Sequence, residues 1–131
     1  MSKSKIVASF MVVLMAILQG VYAVYAFVDP SAFSELRGTE LFSEADSDWV
    51  LIYASRTMFV ALIIGFLLLR KEFNILMWAA LFGTVMPITD AWLARESGAD
   101  SVVFYKHIAT VVYLLIIFSI FRYSVNDDRN A

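Results

Sequence analysis

The chain has 131 residues, 61% hydrophobic and 17% charged, with a mean hydropathy of +0.76. Soluble domains are roughly 45–50% apolar and about 25% charged, so a soluble fold would carry apolar patches well beyond what monomers tolerate, and a disordered chain is excluded as well. Ten Lys or Arg against twelve Asp or Glu give a net charge of −2 with no cysteine and one histidine, so no nucleic-acid binding, disulfide, metal or cofactor is expected. The composition leaves a protein of the lipid bilayer.

A membrane-spanning helix needs about 20 mainly apolar residues. The first such window runs over 6–28, with Gln19 its only strongly polar side chain. It is longer than the roughly 7–15 residues of a signal-peptide core, and Phe27-Val28-Asp29-Pro30 is a poor cleavage site. It is therefore expected to be a retained helix. Asp29-Pro30-Ser31 stops it, because proline lacks the donor that a continuing helix requires. The following loop, Asp29 to Asp48, carries six acids and one arginine. Ala32-Phe33 and Leu41-Phe42 give this loop apolar points, so it is expected either to lie on the membrane surface or to cap the bundle. Ser47-Asp48 resembles a helix N-cap. The second window, 49–69, holds Arg56; the third, 75–94, holds Pro87 and Asp90; the fourth, 102–121, holds Lys106 and His107.

The predicted fold class is an all-α membrane protein, a single domain over residues 1–131 with four transmembrane helices in an antiparallel bundle. Lys3, Lys5, Arg70, Lys71, Arg122 and Arg129 flank one side of the spans, and Arg37 and Arg95 the other. The positive-inside rule then places both termini in the cytoplasm. The short single-chain format suggests a bacterial inner membrane. Trp49, Trp78, Trp92, Phe73 and Tyr123 fall where an aromatic belt belongs, and Gly20, Ala23, Ala26, Ala79, Ala80 and Gly83 suit close helix packing.

The charges inside the spans are the informative exceptions. An ionisable side chain at the bilayer centre costs roughly 2.5–3.5 kcal/mol on insertion scales, so such residues face a partner or a wet cavity. Counting from the outer ends of their spans, Arg56 lies about 10 Å deep, Asp90 about 6 Å and His107 about 8 Å. Three different helices thus bring polar groups to a similar depth. At i, i+3 and i+4 spacing, Tyr53, Arg56, Thr57 and Val60 share one helix face. Gly83, Met86, Pro87 and Asp90 share another, and His107, Thr110 and Leu114 a third. Gln19 and Tyr22 share a face of the first helix, and Pro87 can open the third helix one turn from Asp90.

The expected site is an outward-facing pocket. Arg56 pairs with Asp90, and Arg56, Tyr53, Gln19, Tyr22 and Thr110 bind ligand. His107, with Asp90 in reach, is suited to acid–base work on a lipophilic molecule with a polar head, since imidazole titrates close to neutral pH. Lys106 is expected to snorkel to the outer surface.

Arg56, Gly65, Asp90, Gly98 and His107, over Ser55–Phe121, resemble the pattern of small bacterial four-helix integral membrane proteins of unknown function, loosely similar to the DoxX-like proteins. The resemblance implies the fold and carries no chemistry. Two other readings stand beside the ligand site. In one, the chain is an accessory subunit: an Arg56–Asp90 pair only holds the bundle, and the acidic loop meets a membrane-protein partner or a second copy. In the other it is a small exporter, but four-helix exporters of this size use an acid in helix one, and none is present here.

Overall fold

The computed structural model describes residues 2–39, 41 and 43–130; Phe42, one apolar point of the first loop, lies outside them. The described residues form α1 (Lys3–Val28), α2 (Pro30–Arg37), a 3-10 turn (Glu44–Asp46), α3 (Ser47–Leu69), α4 (Phe73–Gly83), α5 (Val85–Glu96) and α6 (Ser101–Asn130). Four segments are long and apolar enough to cross a membrane: Lys3–Val28, Ser47–Leu69, Phe73–Glu96 and Ser101–Asn126. Each begins one to three residues before its apolar window, because polar residues extend the hydrogen-bond ladder beyond the apolar stretch. At the start of α1, for example, Ser2 Oγ accepts from the Lys5 amide. With 30 residues, α6 is about 45 Å long, more than a hydrocarbon core of about 30 Å requires.

The cap of α3 falls on Asp46 rather than on Ser47-Asp48. The Asp46 carboxylate turns back, accepting from the amide and hydroxyl of Ser43. The third span is two helices, with the break at Thr84. Pro87 has no N–H for the Gly83 carbonyl, and its ring crowds that carbonyl. At the break, the Thr84 hydroxyl donates to the Leu81 carbonyl at 2.7 Å.

α1 packs along α3, α4 and α5 pack along α6, and α1 also lies against α6. α3 meets α4 sparingly and α5 hardly at all. The bundle is therefore two hairpins joined along α1 and α6 and splayed between α3 and α5. At the end that carries the chain termini it is solid. Ala8, Val12, Met15, Leu76, Met77, Ala80, Leu114, Ile117 and Phe121 form one core there. Tyr113 donates to the Met11 carbonyl at 2.8 Å, and Ser124 to Ser4 Oγ at 2.7 Å, tying α6 to α1. Ala23 and Ala26 of α1 and Ala54 of α3 are fully buried at the other end, the small side chains that close helix approach needs. Gly20 departs from that expectation: a Cβ there would meet nothing within 4 Å.

The first loop is largely helical. Asp29 Oδ1 accepts from the Ala32 amide at 3.0 Å, Pro30 opens the first turn, and Gly38, at φ 78°, closes α2 in the left-handed conformation. The Thr39 amide returns to the Ser34 carbonyl, as a Schellman closure requires. Of the two expectations for this loop, α2 realises the cap. Phe33 wedges among the rings of Tyr22, Tyr25 and Tyr53, with centroids 5.8, 5.8 and 5.5 Å away. Gly38 sits so close to the α5–α6 connection that a Cβ would lie 2.7 Å from Ala99 Cβ and 2.9 Å from Val103 Cγ1.

Gly38→Ala should therefore lift α2 from the bundle, combining that clash with a backbone penalty of about 1–2 kcal/mol. The absence of cysteine makes the readout direct. Ser34→Cys, at a buried position, should react slowly with a membrane-impermeant maleimide, and roughly 5–30-fold faster once Gly38→Ala is added. An unchanged rate would show that the close approach at Gly38 does not hold α2 down.

Candidate functional site

The splay between the hairpins leaves a chamber of about 610 Å³ bordered by α1, α3, α4, α5 and α6. Gln19 and Tyr22 face it from α1, Tyr53 and Arg56 from α3, Asp90 from α5, and His107 and Thr110 from α6. These are the residues singled out by the sequence, and their helix faces meet in one space. Gly83, Met86 and Pro87 line it at the break between α4 and α5. The break thus lies where the backbone borders a cavity, the place in which irregular backbone is tolerated at membrane depth. The upper part of the core, including Met15, Leu76 and Leu114, forms its floor.

A second cavity of about 540 Å³ lies under α2 and the segment that follows it, lined by Ser34, Thr39, Asp46 and Trp49 among others. Arg37, Tyr53 and Asp90 border both cavities. The Arg37 guanidinium pairs with the Asp90 carboxylate and lies over the Tyr53 ring, 5.3 Å from its centroid. These three side chains form a septum between an outer vestibule and the chamber.

This arrangement corrects two expectations and completes a third. Asp90 pairs with Arg37, not with Arg56. Arg56 and Asp90 face the chamber from α3 and α5, the two helices that splay apart, while α2 folds over the opening and brings Arg37 to the carboxylate first. Lys106 reaches outward, as expected, and finds its acceptor in α2. Its Nζ donates to the Leu36 carbonyl at 2.8 Å, supplying a cation to the C-terminal end of α2, where orphan carbonyls and the helix dipole favour one. The His107–Asp90 acid–base pair is not made: no hydrogen bond joins the two side chains, and Arg37 holds Asp90.

His107 is 3% exposed, and its Nε2 has no hydrogen-bond partner. Arg37, Asp90 and Lys106 all lie close enough to act on its charge. Among the described residues the only other buried side-chain N or O atom without a partner is Ser9 Oγ, which does not border the chamber. The remaining polar groups of the chamber divide into two sets. Asp90 is held by Arg37, Lys106 by Leu36, the Thr110 hydroxyl by the Lys106 carbonyl, and the Gln19 amide lies against Met15 Sδ. Arg56 has neither hydrogen bond nor ion pair among the described residues. Among the described residues, no group of three His, Cys, Asp or Glu side chains gathers to hold a metal ion.

Arg37 is the functional residue that the sequence reading misses, because it counts as one loop charge among many acids. The local signal was present: an N-cap Asp29, Pro30 at the first turn and Gly38 eight residues later delimit a helix. A helix in that loop carries Phe33 and Arg37 one turn apart, and so on one side.

Four apolar helices and, between them, a mainly apolar chamber with a few polar groups define a small multi-span membrane protein. Residues 8–121 match the family described as a domain of unknown function, DUF4267, and the chain belongs to that family. No curated protein and no solved structure matches the chain. The likeness to DoxX-like proteins rests on the sequence pattern alone.

A double-mutant cycle separates the two arginines. Asp90→Asn and Arg37→Gln should each destabilise the protein, and the pair should show a coupling of about 1–3 kcal/mol in detergent unfolding, as expected for contacting, part-buried charges. Asp90→Asn with Arg56→Gln should be additive within about 0.5 kcal/mol. Coupling to Arg56 instead of Arg37 would reverse the pairing described above.

Proposed function

We propose that the protein binds a lipophilic molecule with a polar head, the head seated among Arg56, His107, Tyr53 and Tyr22 and the tail along the apolar chamber wall. The observation that carries this reading is the buried His107 Nε2, unpartnered at the edge of a chamber of about 610 Å³. That volume falls in the range of small-molecule sites, which are mostly apolar with a few converging polar groups. With Asp90 held by Arg37, the reading is one of binding rather than acid–base chemistry. The distribution of Lys and Arg supports termini in the cytoplasm and a chamber in the outer half of the membrane, under α2.

The second reading, an accessory subunit, draws on the Arg37–Asp90 pair and the Lys106–Leu36 bond, which hold α2 in place whether or not anything binds. It gives no part to Arg56 or to His107 Nε2.

Native mass spectrometry of the purified protein, followed by lipid extraction, should find one amphiphile retained per chain. Gly83→Leu should expel it by filling the chamber. Gly83→Ala should keep it, since the added Cβ meets only Leu114 and Met86 at 3.8 and 3.9 Å. Arg56→Ala and His107→Ala should lose it while still folding, and added ligand should no longer raise their melting temperature. Bulk phospholipid alone, the same in every variant, favours the accessory subunit.

A further inference from the structure

We infer that the head of this ligand is anionic, a carboxylate or phosphate on a long apolar chain, with Arg56 as its charge partner and His107 Nε2 as a hydrogen-bonding partner. The inference rests on the reading of the chamber as a ligand site and names the ligand's chemistry.

The first support is the charge balance of the chamber. Its border carries three basic side chains, Arg37, Arg56 and Lys106, and a single carboxylate, Asp90. Arg37 takes that carboxylate. Lys106 is engaged by a carbonyl, which satisfies a donor but cancels no charge. The chamber is left with an excess of positive charge, and Arg56 has no protein partner. A guanidinium inside a membrane span requires a counter-charge or water. Its planar fork of donors matches carboxylate and phosphate oxygens.

The second support is independent of Arg56. His107 Nε2 is buried and lacks a partner in the same chamber, and a buried polar atom is normally satisfied. The other side of the ring meets the Arg37 backbone, so an anionic head that reaches Nε2 accepts a hydrogen bond from the protonated ring. The third is shape. One and two turns from Arg56 toward the terminal end, Val60, Ile63 and Ile64 make the α3 wall apolar, facing Ala79 and Ala80 of α4. Between α3 and α5 the helices hardly touch, so a chain of methylenes has a lateral path to the bilayer. A small soluble anion would leave this wall unused.

The test measures binding to the full-length protein in nanodiscs of zwitterionic lipid. Hexadecanoate and hexadecyl phosphate are compared with hexadecanol and hexadecyltrimethylammonium, and acetate and inorganic phosphate serve as head-only competitors. The two anionic amphiphiles should bind at least about tenfold more tightly than the alcohol, the scale of a charge-assisted hydrogen bond. The quaternary ammonium should not bind, and the short anions should not compete. Arg56→Gln should abolish the preference for anions, bringing their affinity down to that of hexadecanol. Arg56→Lys, which keeps the charge, should retain most of the preference even if the glutamine variant fails to fold. His107→Leu should weaken both anions several-fold.

Equal binding of alcohol and anions overturns the inference and leaves the ligand chamber standing. Binding by none of the amphiphiles overturns the chamber reading itself. Competition by acetate or phosphate at matching concentration overturns the amphiphile in favour of a free anion. A preference that survives Arg56→Gln but disappears in Lys106→Gln overturns the assignment to Arg56.

Discussion

Asp90 lies in a helix that crosses the membrane, where an unpaired carboxylate is costly, and the cation that meets it comes from outside the four spans. Arg37 belongs to α2, and its pairing with Asp90 draws the C-terminal end of that short helix over the mouth of the bundle. The other contacts of α2 are compatible with no other placement. The Leu36 carbonyl comes to Lys106, Phe33 comes among three tyrosines, and Gly38 comes against Ala99 and Val103 so tightly that only glycine fits. Together the contacts reach α5 through Asp90, α6 through Lys106 and Val103, and α1 and α3 through the aromatic cluster. Because the ion pair is only partly exposed, bulk water screens it weakly, and it can hold where a surface pair would contribute little.

The cap matters because of what the bundle leaves open beneath it. A four-helix bundle that closes on all sides has no room for a chamber. Here the third span is interrupted by Pro87, and α5 pairs with α6 while leaving α3 alone. The terminal half supplies the rigidity that the other half lacks, through a continuous apolar core and the hydrogen bonds of Tyr113 and Ser124. One half of the molecule is packed and the other is hollow, and Arg56, Asp90, Lys106 and His107 collect in the hollow half.

The helix faces were legible in the sequence because they depend only on local geometry. Once a segment is helical, residues three and four apart share a side, so Tyr53 with Arg56 and Thr57, and His107 with Thr110, were bound to face the same way. That these faces border one chamber follows from the similar depth of their polar groups. The partners were not legible. Two arginines compete for Asp90, and the winner is decided by the path of the first loop, a long-range matter that helical periodicity does not report. Lys106 shows the same limit. Its long stem carries the charge outward as expected, but that the acceptor there is the α2 terminus depends on the path of the loop. The exact helix starts and the cap at Asp46 turned on hydrogen bonds of polar flanking residues, to which hydropathy is blind.

The polar groups of the hollow half now separate by what they do for the fold. Remove Asp90 or Arg37 and the other is left as a part-buried charge. Remove Lys106 and the end of α2 loses its cation. These three have structural employment, and a protein that only needed a stable bundle would have reason to carry them. Arg56 has none that the described residues reveal, and His107, whose ring meets the Arg37 backbone, keeps Nε2 unused. A leucine in place of Arg56 would avoid the cost of a charge at membrane depth. The proposed anionic amphiphile accounts for the placement of both on one chamber, its charge meeting the guanidinium and its head reaching Nε2 of the imidazole.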